Sequence, residues 1–253
     1  FQTQLYEIPE GTRVARGRGI LNFLEISDQE KVLEMVPLTK EDEGKTKYLV
    51  IVTKSGKIKK TALEDFKNVR KSGIIAIKLQ KGDLLVKSVK TTGNEEIILT
   101  TKRGIAIRFK EKDIRPMGRT AAGVKGIGLK KGDEVISMDI IRPNDATGKD
   151  LKAKQYLLAV MENGYGKKTD VSQYRLQGRG GSGIKTAQIT PKTGELIFAK
   201  VLSQEEEDLI VISQHGQVIK TTVNSISILG RATQGVRIMR LGEGDKVASA
   251  VCI

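Results

Sequence analysis

Four glycines of this chain, Gly56, Gly104, Gly164 and Gly216, are each followed four residues later by a cation: Lys60, Arg108, Lys168 and Lys220. Fifteen residues after each glycine comes a second, in the order Lys71, Arg119, Arg179 and Arg231, and Arg13 continues this series near the start of the chain. Further basic residues cluster beside the two series: Arg16, Arg18, Lys59, Arg70, Lys167 and Arg175, with Arg103, Arg115 and Arg237. Regularly spaced Lys and Arg make and break no bonds; they gather anions, above all phosphates. One of these cations, Arg179, lies within Gln177-Gly178-Arg179-Gly180-Gly181-Ser182-Gly183. Glycines let backbone N–H groups approach an anion closely, so this stretch reads either as a phosphate-binding nest or as a plain connection between strands.

Groups for covalent or acid–base catalysis are sparse. His215 is the only histidine and stands beside a turn glycine, which argues against a catalytic triad or a histidine-based metal site. Cys252, the only cysteine, reads as a small buried apolar residue and excludes an internal disulfide. Asp83, Asp133 and Asp245 each follow a glycine in equivalent turns, where a turn-forming role accounts for them. There is no Walker-type phosphate loop, and the reading is of a chain without a catalytic site or cofactor of its own. Lys and Arg number 44 against 30 acidic residues, a formal charge of +14, and that excess asks for an anionic partner. No apolar run is long enough to span a bilayer, so no membrane partner is expected, and a reducing cytosolic setting fits the cysteine count.

The cations keep register because the chain is a repeat. "YLVIVTKSGKIKKTALEDF" (48–66) returns as "IILTTKRGIAIRFKEKDI" (97–114), "YLLAVMENGYGKKTDVSQY" (156–174) and "DLIVISQHGQVIKTTVNSI" (208–226). Ten residues after each turn glycine stands an apolar or aromatic anchor: Phe66, Ile114, Tyr174 and Ile226. "FQTQLYEI" (1–8) aligns with "KKTALEDF", placing Leu5 on Leu63, so the chain is expected to start inside a unit whose first strand and turn glycine lie before residue 1. The repeats run over about residues 1–40 (partial), 47–91, 95–141, 155–203 and 207–253, within one domain spanning 1–253. The longest polar connection is "RPNDATGKDLKAK" (142–154), and the most acidic is "SQEEED" (203–208).

Each segment is short, β-branched and closed by a Gly-containing turn, the signature of hairpins, and no helical period is sustained. The fold class is all-β, with about four strands per unit, and radial closure of such units into a propeller-like disc protects most strand edges. An open β-solenoid is the alternative. In a radial array, equivalent positions lie at one height, so the cations form a belt. A duplex, with one phosphate charge per ~1.7 Å of axis, suits such a belt through backbone contact and bending. Trp is absent and aromatics are scarce, which disfavours the base-stacking grip used on single strands.

"EIPEGTRVARGRGILNFLEI" (7–26), "NGYGKKTDVSQYRLQGRGGSGIK" (163–185) and "ISILGRATQGVRIMRLGEGDKVASAV" (226–251) resemble successive blades of the C-terminal domain of the DNA gyrase A subunit. The resemblance covers essentially the whole chain. It implies a β-pinwheel, a propeller relative whose blades exchange strands, of about five to six blades, four complete and a partial first one here. It implies wrapping of double-stranded DNA on the basic rim, presenting a segment to a strand-passage gate for negative supercoiling. It further implies partners, the rest of the gyrase A subunit and the gyrase B subunit in an A2B2 holoenzyme. ATP and Mg2+ would be used there rather than in this fragment, which is expected to be monomeric, in the bacterial cytoplasm at the nucleoid. The family's gyrase box, near Gln-Arg-Arg-Gly-Gly-Lys-Gly, belongs in the first blade and is expected before residue 1. Residues 177–183 match it at five of seven positions and lack two basic residues. The related domain of topoisomerase IV and a propeller-type protein-docking module are the alternatives.

Overall fold

The computed structural model describes residues 1–12, 15–26, 30–39, 44, 46–142, 154–202 and 207–253. Arg13 and most of the two polar connections named above lie outside the described residues.

Each repeat makes three long strands. The first supplies β1 (Tyr48–Thr53), β2 (Lys57–Ala62) and β3 (Leu85–Thr91); the second β4 (Glu96–Thr101), β5 (Ile105–Lys110) and β7 (Val135–Ile141). The third supplies β8 (Tyr156–Met161), β9 (Tyr165–Asp170) and β11 (Leu196–Leu202); the fourth β12 (Asp208–Ser213), β13 (Val218–Thr222) and β15 (Val247–Cys252). The hairpin turns carry the four glycines of the repeat, each at positive φ between 73° and 83°, where a side chain would be strained.

The remaining strand of each blade comes from the next repeat. Two-residue strands β6 (Val124–Lys125), β10 (Ile184–Lys185) and β14 (Val236–Arg237) cross to pair with β2, β5 and β9 of the preceding repeat. The sheet orders are therefore β3-β1-β2-β6, β7-β4-β5-β10 and β11-β8-β9-β14, with a last sheet of three strands, β13-β12-β15. Every pairing within these sheets is antiparallel. A second joint follows the same path: Lys60, Arg108 and Lys168 bridge in parallel to Pro116, Leu176 and Ile228 of the following repeat. In the partial first copy the described residues hold two 3-10 turns and no strand. The first of these, Leu5–Glu7, falls on the alignment predicted with the turn at Leu63–Phe66.

The core lies between blades. One apolar cluster joins Val50, Val52 and Ile58 of the first blade to Ile97, Leu99, Phe109 and Met138 of the second. A second joins Ile98 and Ala106 to Leu157, Tyr174 and Leu196, and a third joins Leu158 and Val160 to Leu209, Val211 and Val247. Inner strands are thus buried on both faces, which is why β8 reads as a continuous apolar run and β4 carries Ile97-Ile98-Leu99 without alternation. The anchor position of the repeat belongs to this core: Ile114, Tyr174 and Ile226 are buried.

At the inner seams, opposite charges join successive repeats. Lys54 pairs with Glu134 at 2.8 Å and Lys102 with Glu195 at 2.8 Å, whereas the third seam inverts the signs, Glu162 with Lys246 at 3.5 Å. Asp83, Asp133 and Asp245 hold the hairpin turns by accepting the backbone N–H groups of Ser55, Arg103 and His215. Burial pushes Asp83 and Asp245 up, but these hydrogen bonds outweigh it and hold both below the usual carboxylate range. This is the turn role the sequence suggested.

Candidate nucleic-acid interface

In the first three repeats the cation four residues after the glycine lies at the joint between blades. Lys60 is buried, its Nζ 3.2 Å from the Glu111 carbonyl oxygen, 3.5 Å from the Glu111 carboxylate and 4.9 Å from the centre of the Tyr48 ring. Arg108 donates Nε to Glu96 at 2.6 Å and Nη1 to the carbonyls of Val171 and Tyr174, both at 3.0 Å. Lys168 is buried and lies over the Tyr156 ring at 5.9 Å. Lys60 and Arg108 therefore grip the 3-10 turn that follows the second strand of the next repeat, and the partner on the first strand alternates, Tyr48, Glu96, Tyr156 and Asp208. Only Lys220, in the last sheet, is exposed, paired with Asp208 at 2.7 Å.

Lys59 and Lys167 are also inside, each fully buried. Lys59 Nζ donates to the carbonyls of Ala76 and Arg119; Lys167 Nζ donates to those of Gly230 and Arg231, both at 2.6 Å, and to Thr233 Oγ1 at 3.0 Å. Burial, with the cations of Arg119 and Arg231 near, pulls both amines down to about 8. Lys59, Lys60, Arg108, Lys167 and Lys168 were expected on the belt, and their placement corrects it. Strand exchange covers the second strand of the first three blades, so these cations are enclosed by the following repeat, and Lys59, Lys60, Arg108 and Lys167 donate to its carbonyls.

The loops that Lys59 and Lys167 hold carry the other series. Arg179 is exposed; its Nε donates to the Asp113 carbonyl and its Nη1 to the Lys125 carbonyl, both at 3.0 Å. Arg231 repeats the contact one blade on, Nη1 to the Lys185 carbonyl at 2.9 Å. The backbone of Lys125 and Lys185 accepts these bonds while their side chains stay exposed. Lys125, Lys185 and Arg237 each stand two residues after the glycine that precedes a donated strand, an equivalence the two chosen offsets did not include. Arg16, Arg18, Arg70, Lys71, Arg115 and Arg175 are exposed and Arg119 is half-buried. Among the cations of the repeat's two series and the donated strands, those that face outward lie on the loop and the donated strand, Lys220 of the last sheet excepted.

The box-like stretch is a seam. Gln177 N donates to the Arg108 carbonyl at 2.8 Å, Gly180 N to Gly126 at 2.7 Å, and Gly181 accepts from Gly128 N at 2.7 Å. Gly183, at φ +70°, immediately precedes β10, and a Cβ there would stand 2.6 Å from the Ala106 carbonyl oxygen. Gly123 and Gly235 meet the same limit against Ile58 and Gly166, both at 2.6 Å. These glycines serve close backbone approach, and the N–H of Gly180 is already spent on a protein carbonyl. Gly178 and Ser182 face outward with Arg179.

Among the described residues no group of His, Cys, Asp and Glu gathers as metal ligands do, and no helix is long and apolar enough to cross a membrane.

Four segments of the chain, 47–90, 95–142, 155–203 and 207–253, match the family model described as DNA gyrase C-terminal domain, beta-propeller. The DNA gyrase A subunit of Staphylococcus epidermidis is 43% identical over 249 residues, 98% of this chain and 27% of that protein, so the chain spans about a quarter of the relative's length. A solved C-terminal domain of DNA topoisomerase IV superposes with a TM-score of 0.82 at 25% identity, covering 94% of this chain and 70% of that one. A solved DNA gyrase A C-terminal domain superposes with a TM-score of 0.78 at 28% identity, covering 94% and 76%. The repeat, the strand exchange and these likenesses agree: the chain belongs to the gyrase C-terminal domain family of β-propellers.

Proposed function

We propose that this chain binds duplex DNA along the cations of its loops and donated strands and curves it, as the wrapping domain of a gyrase A subunit. The observation that carries the reading is the outward placement of Lys125, Lys185 and Arg237 at equivalent points of three donated strands, beside Arg179 and Arg231. A blade-by-blade rotation of one cationic patch gives a track, and a track suits a backbone more than a base sequence. Kinship to the gyrase A subunit supports the same reading. The rest of that protein and a gyrase B subunit are its partners, and ATP and Mg2+ act there, in the bacterial cytoplasm. No side chain of this chain is assigned a catalytic step.

The test is the distance between the ends of a dye-labelled duplex of about 100 base pairs, shorter than the persistence length of about 150 and therefore extended when free. Saturation with the chain draws the ends together. Saturable binding with no approach of the ends would overturn curving and leave a plain DNA-binding module.

A further inference from the structure

One blade carries a feature that the others lack. In the second repeat Leu129 and Gly132 are separated by two residues, Lys130 and Lys131; in the third, Ile189 and Gly194 are separated by four, Thr190-Pro191-Lys192-Thr193. The longer loop is anchored: Asn163 Nδ2 donates to the carbonyls of Pro191 at 3.0 Å and Lys192 at 3.2 Å. That anchor carries the Lys192 ammonium to 5.3 Å from the centre of the Tyr165 ring. The strand donated by the fourth repeat reaches the same ring. Arg237, paired with Tyr165 across β14 and β9, lies 5.6 Å from the same ring and donates Nη2 to the Tyr165 hydroxyl at 3.1 Å. The two flank an open cleft of about 480 Å³ that Arg240 also lines.

Three cations and one phenol converge there. Lys192, Arg237 and Arg240 are exposed, and among the described residues none has a carboxylate within ion-pair distance. Asp245 stands at the margin, but its Oδ1 is occupied by the N–H groups of His215 and Lys246. The Tyr165 hydroxyl accepts from Arg237, which leaves its own proton to donate. Arg237 and Lys192 accordingly hold this phenol below the ordinary tyrosine range. The equivalents of Tyr165 in the other repeats are Lys57, Ile105 and Gln217, and those of Arg240 in the other donated strands are Gly128 and Gln188, so the constellation belongs to this blade alone. Convergent Arg and Lys donors with a hydroxyl suit the oxygens of a phosphate group.

We propose that the cleft of Tyr165, Lys192, Arg237 and Arg240 is a discrete phosphate-binding site that shares Arg237 with the rim and adds to it Tyr165, Lys192 and Arg240, which no other blade repeats. The phosphate is either a backbone group of bound duplex or that of a free polyphosphate. The site deepens the duplex-binding reading, and rests on it only for the first of these sources.

The probe is inorganic pyrophosphate, titrated calorimetrically into the 253-residue chain. Saturable binding is expected, weakened at least tenfold in Lys192→Gln/Arg240→Gln, whose replaced side chains are exposed. Tyr165→Phe should weaken it several-fold with an unchanged melting midpoint, and Lys125→Gln/Lys185→Gln should leave it intact. A short duplex that displaces pyrophosphate identifies the backbone as the source; coexistence of the two identifies a free polyphosphate. Absence of saturable binding, or equal weakening by the Lys125/Lys185 pair, overturns the site. Pyrophosphate binding in a chain that binds no duplex would instead overturn the function proposed above and leave the cleft standing.

Discussion

Arg179 Nη1 donates to the carbonyl oxygen of Lys125 at 3.0 Å, so the in-register arginine of one repeat is fastened to the strand donated by the repeat before it. The same atom pair recurs between Arg231 and Lys185 at 2.9 Å. The arginine has two duties, a joint between blades and an outward charge, whereas Lys125 and Lys185 have exposed side chains with no hydrogen bond or ion pair among the described contacts. Arg179→Ala should therefore lower both urea stability, by about 1–2 kcal/mol, and duplex affinity. Lys125→Gln should lower affinity alone. Equal stability losses in the two would contradict this division.

Lys167 should behave as a structural residue. Ile107 and Ile219 occupy its position in the second and fourth repeats, so an apolar side chain fits there sterically. In the third repeat the change leaves the Gly230 and Arg231 carbonyls without their donor. Lys167→Ile is expected to cost about 1–3 kcal/mol in denaturant unfolding. A neutral or stabilising result would mean that the loop closes without its ammonium.

Lys59 and Lys167 together predict a pH dependence. Their folded values, about 8, lie below the ordinary lysine value of 10.5, so the unfolded chain binds more protons between these limits. Their contribution to stability rises as pH climbs from about 8 to 10.5 and is lost as pH falls through about 8. Unfolding midpoints of the parent and of Lys59→Ile/Lys167→Ile across that window report it. The variant should lack this rising component, and parallel profiles would contradict the assignment.

Two glycines of the box-like stretch should separate. Gly183→Ala meets the Ala106 carbonyl from a φ of +70°, whereas a Cβ on Gly178 meets nothing within 4 Å. The first is expected to destabilise by at least about 1–3 kcal/mol and loosen β10, the second to be nearly neutral. Hydrogen exchange at Ile184 and Lys185 checks the loosening.

The inner seam gives a pairing test. Reversing Lys102 alone should destabilise, and reversing Glu195 with it should restore part of the loss, Glu134 still facing the reversed residue at 102; the loss stays near or below about 1 kcal/mol because both groups are partly exposed. A double-mutant cycle with no coupling would reduce the seam charges to ordinary surface residues.

Much of this was legible in the sequence because a repeat reports its own register. The anchors Ile114, Tyr174 and Ile226 keep a fixed offset from the turn glycines, the Asp of each acidic turn directly follows a glycine, and each has the role that hairpins and a core demand. What periodicity does not report is which way a recurring cation faces. Lys59-Lys60 and Lys167-Lys168 look like solvated strand residues, yet the donated strand and the following 3-10 turn enclose them. Burial of that kind depends on a segment some 50 to 70 residues away in the chain, such as Gly230 above Lys167. Lys125 and Lys185 were missed for a simpler reason: their signal lies two residues after the second glycine of each unit, outside the offsets counted from the first. The glycines around Arg179 looked suited to an anion because open backbone suits one, but backbone of the adjacent blade uses the same property.

The most direct test of the rim is the salt dependence of duplex binding in the parent chain and in Lys125→Gln/Lys185→Gln. Log Kobs is expected to fall linearly with log salt concentration, and the double variant to shallow the slope by about 2, one phosphate contact per lysine. Little dependence on duplex sequence should accompany it. Affinity indifferent to salt, or a slope that the two substitutions leave unchanged, would contradict a phosphate track built from the donated strands.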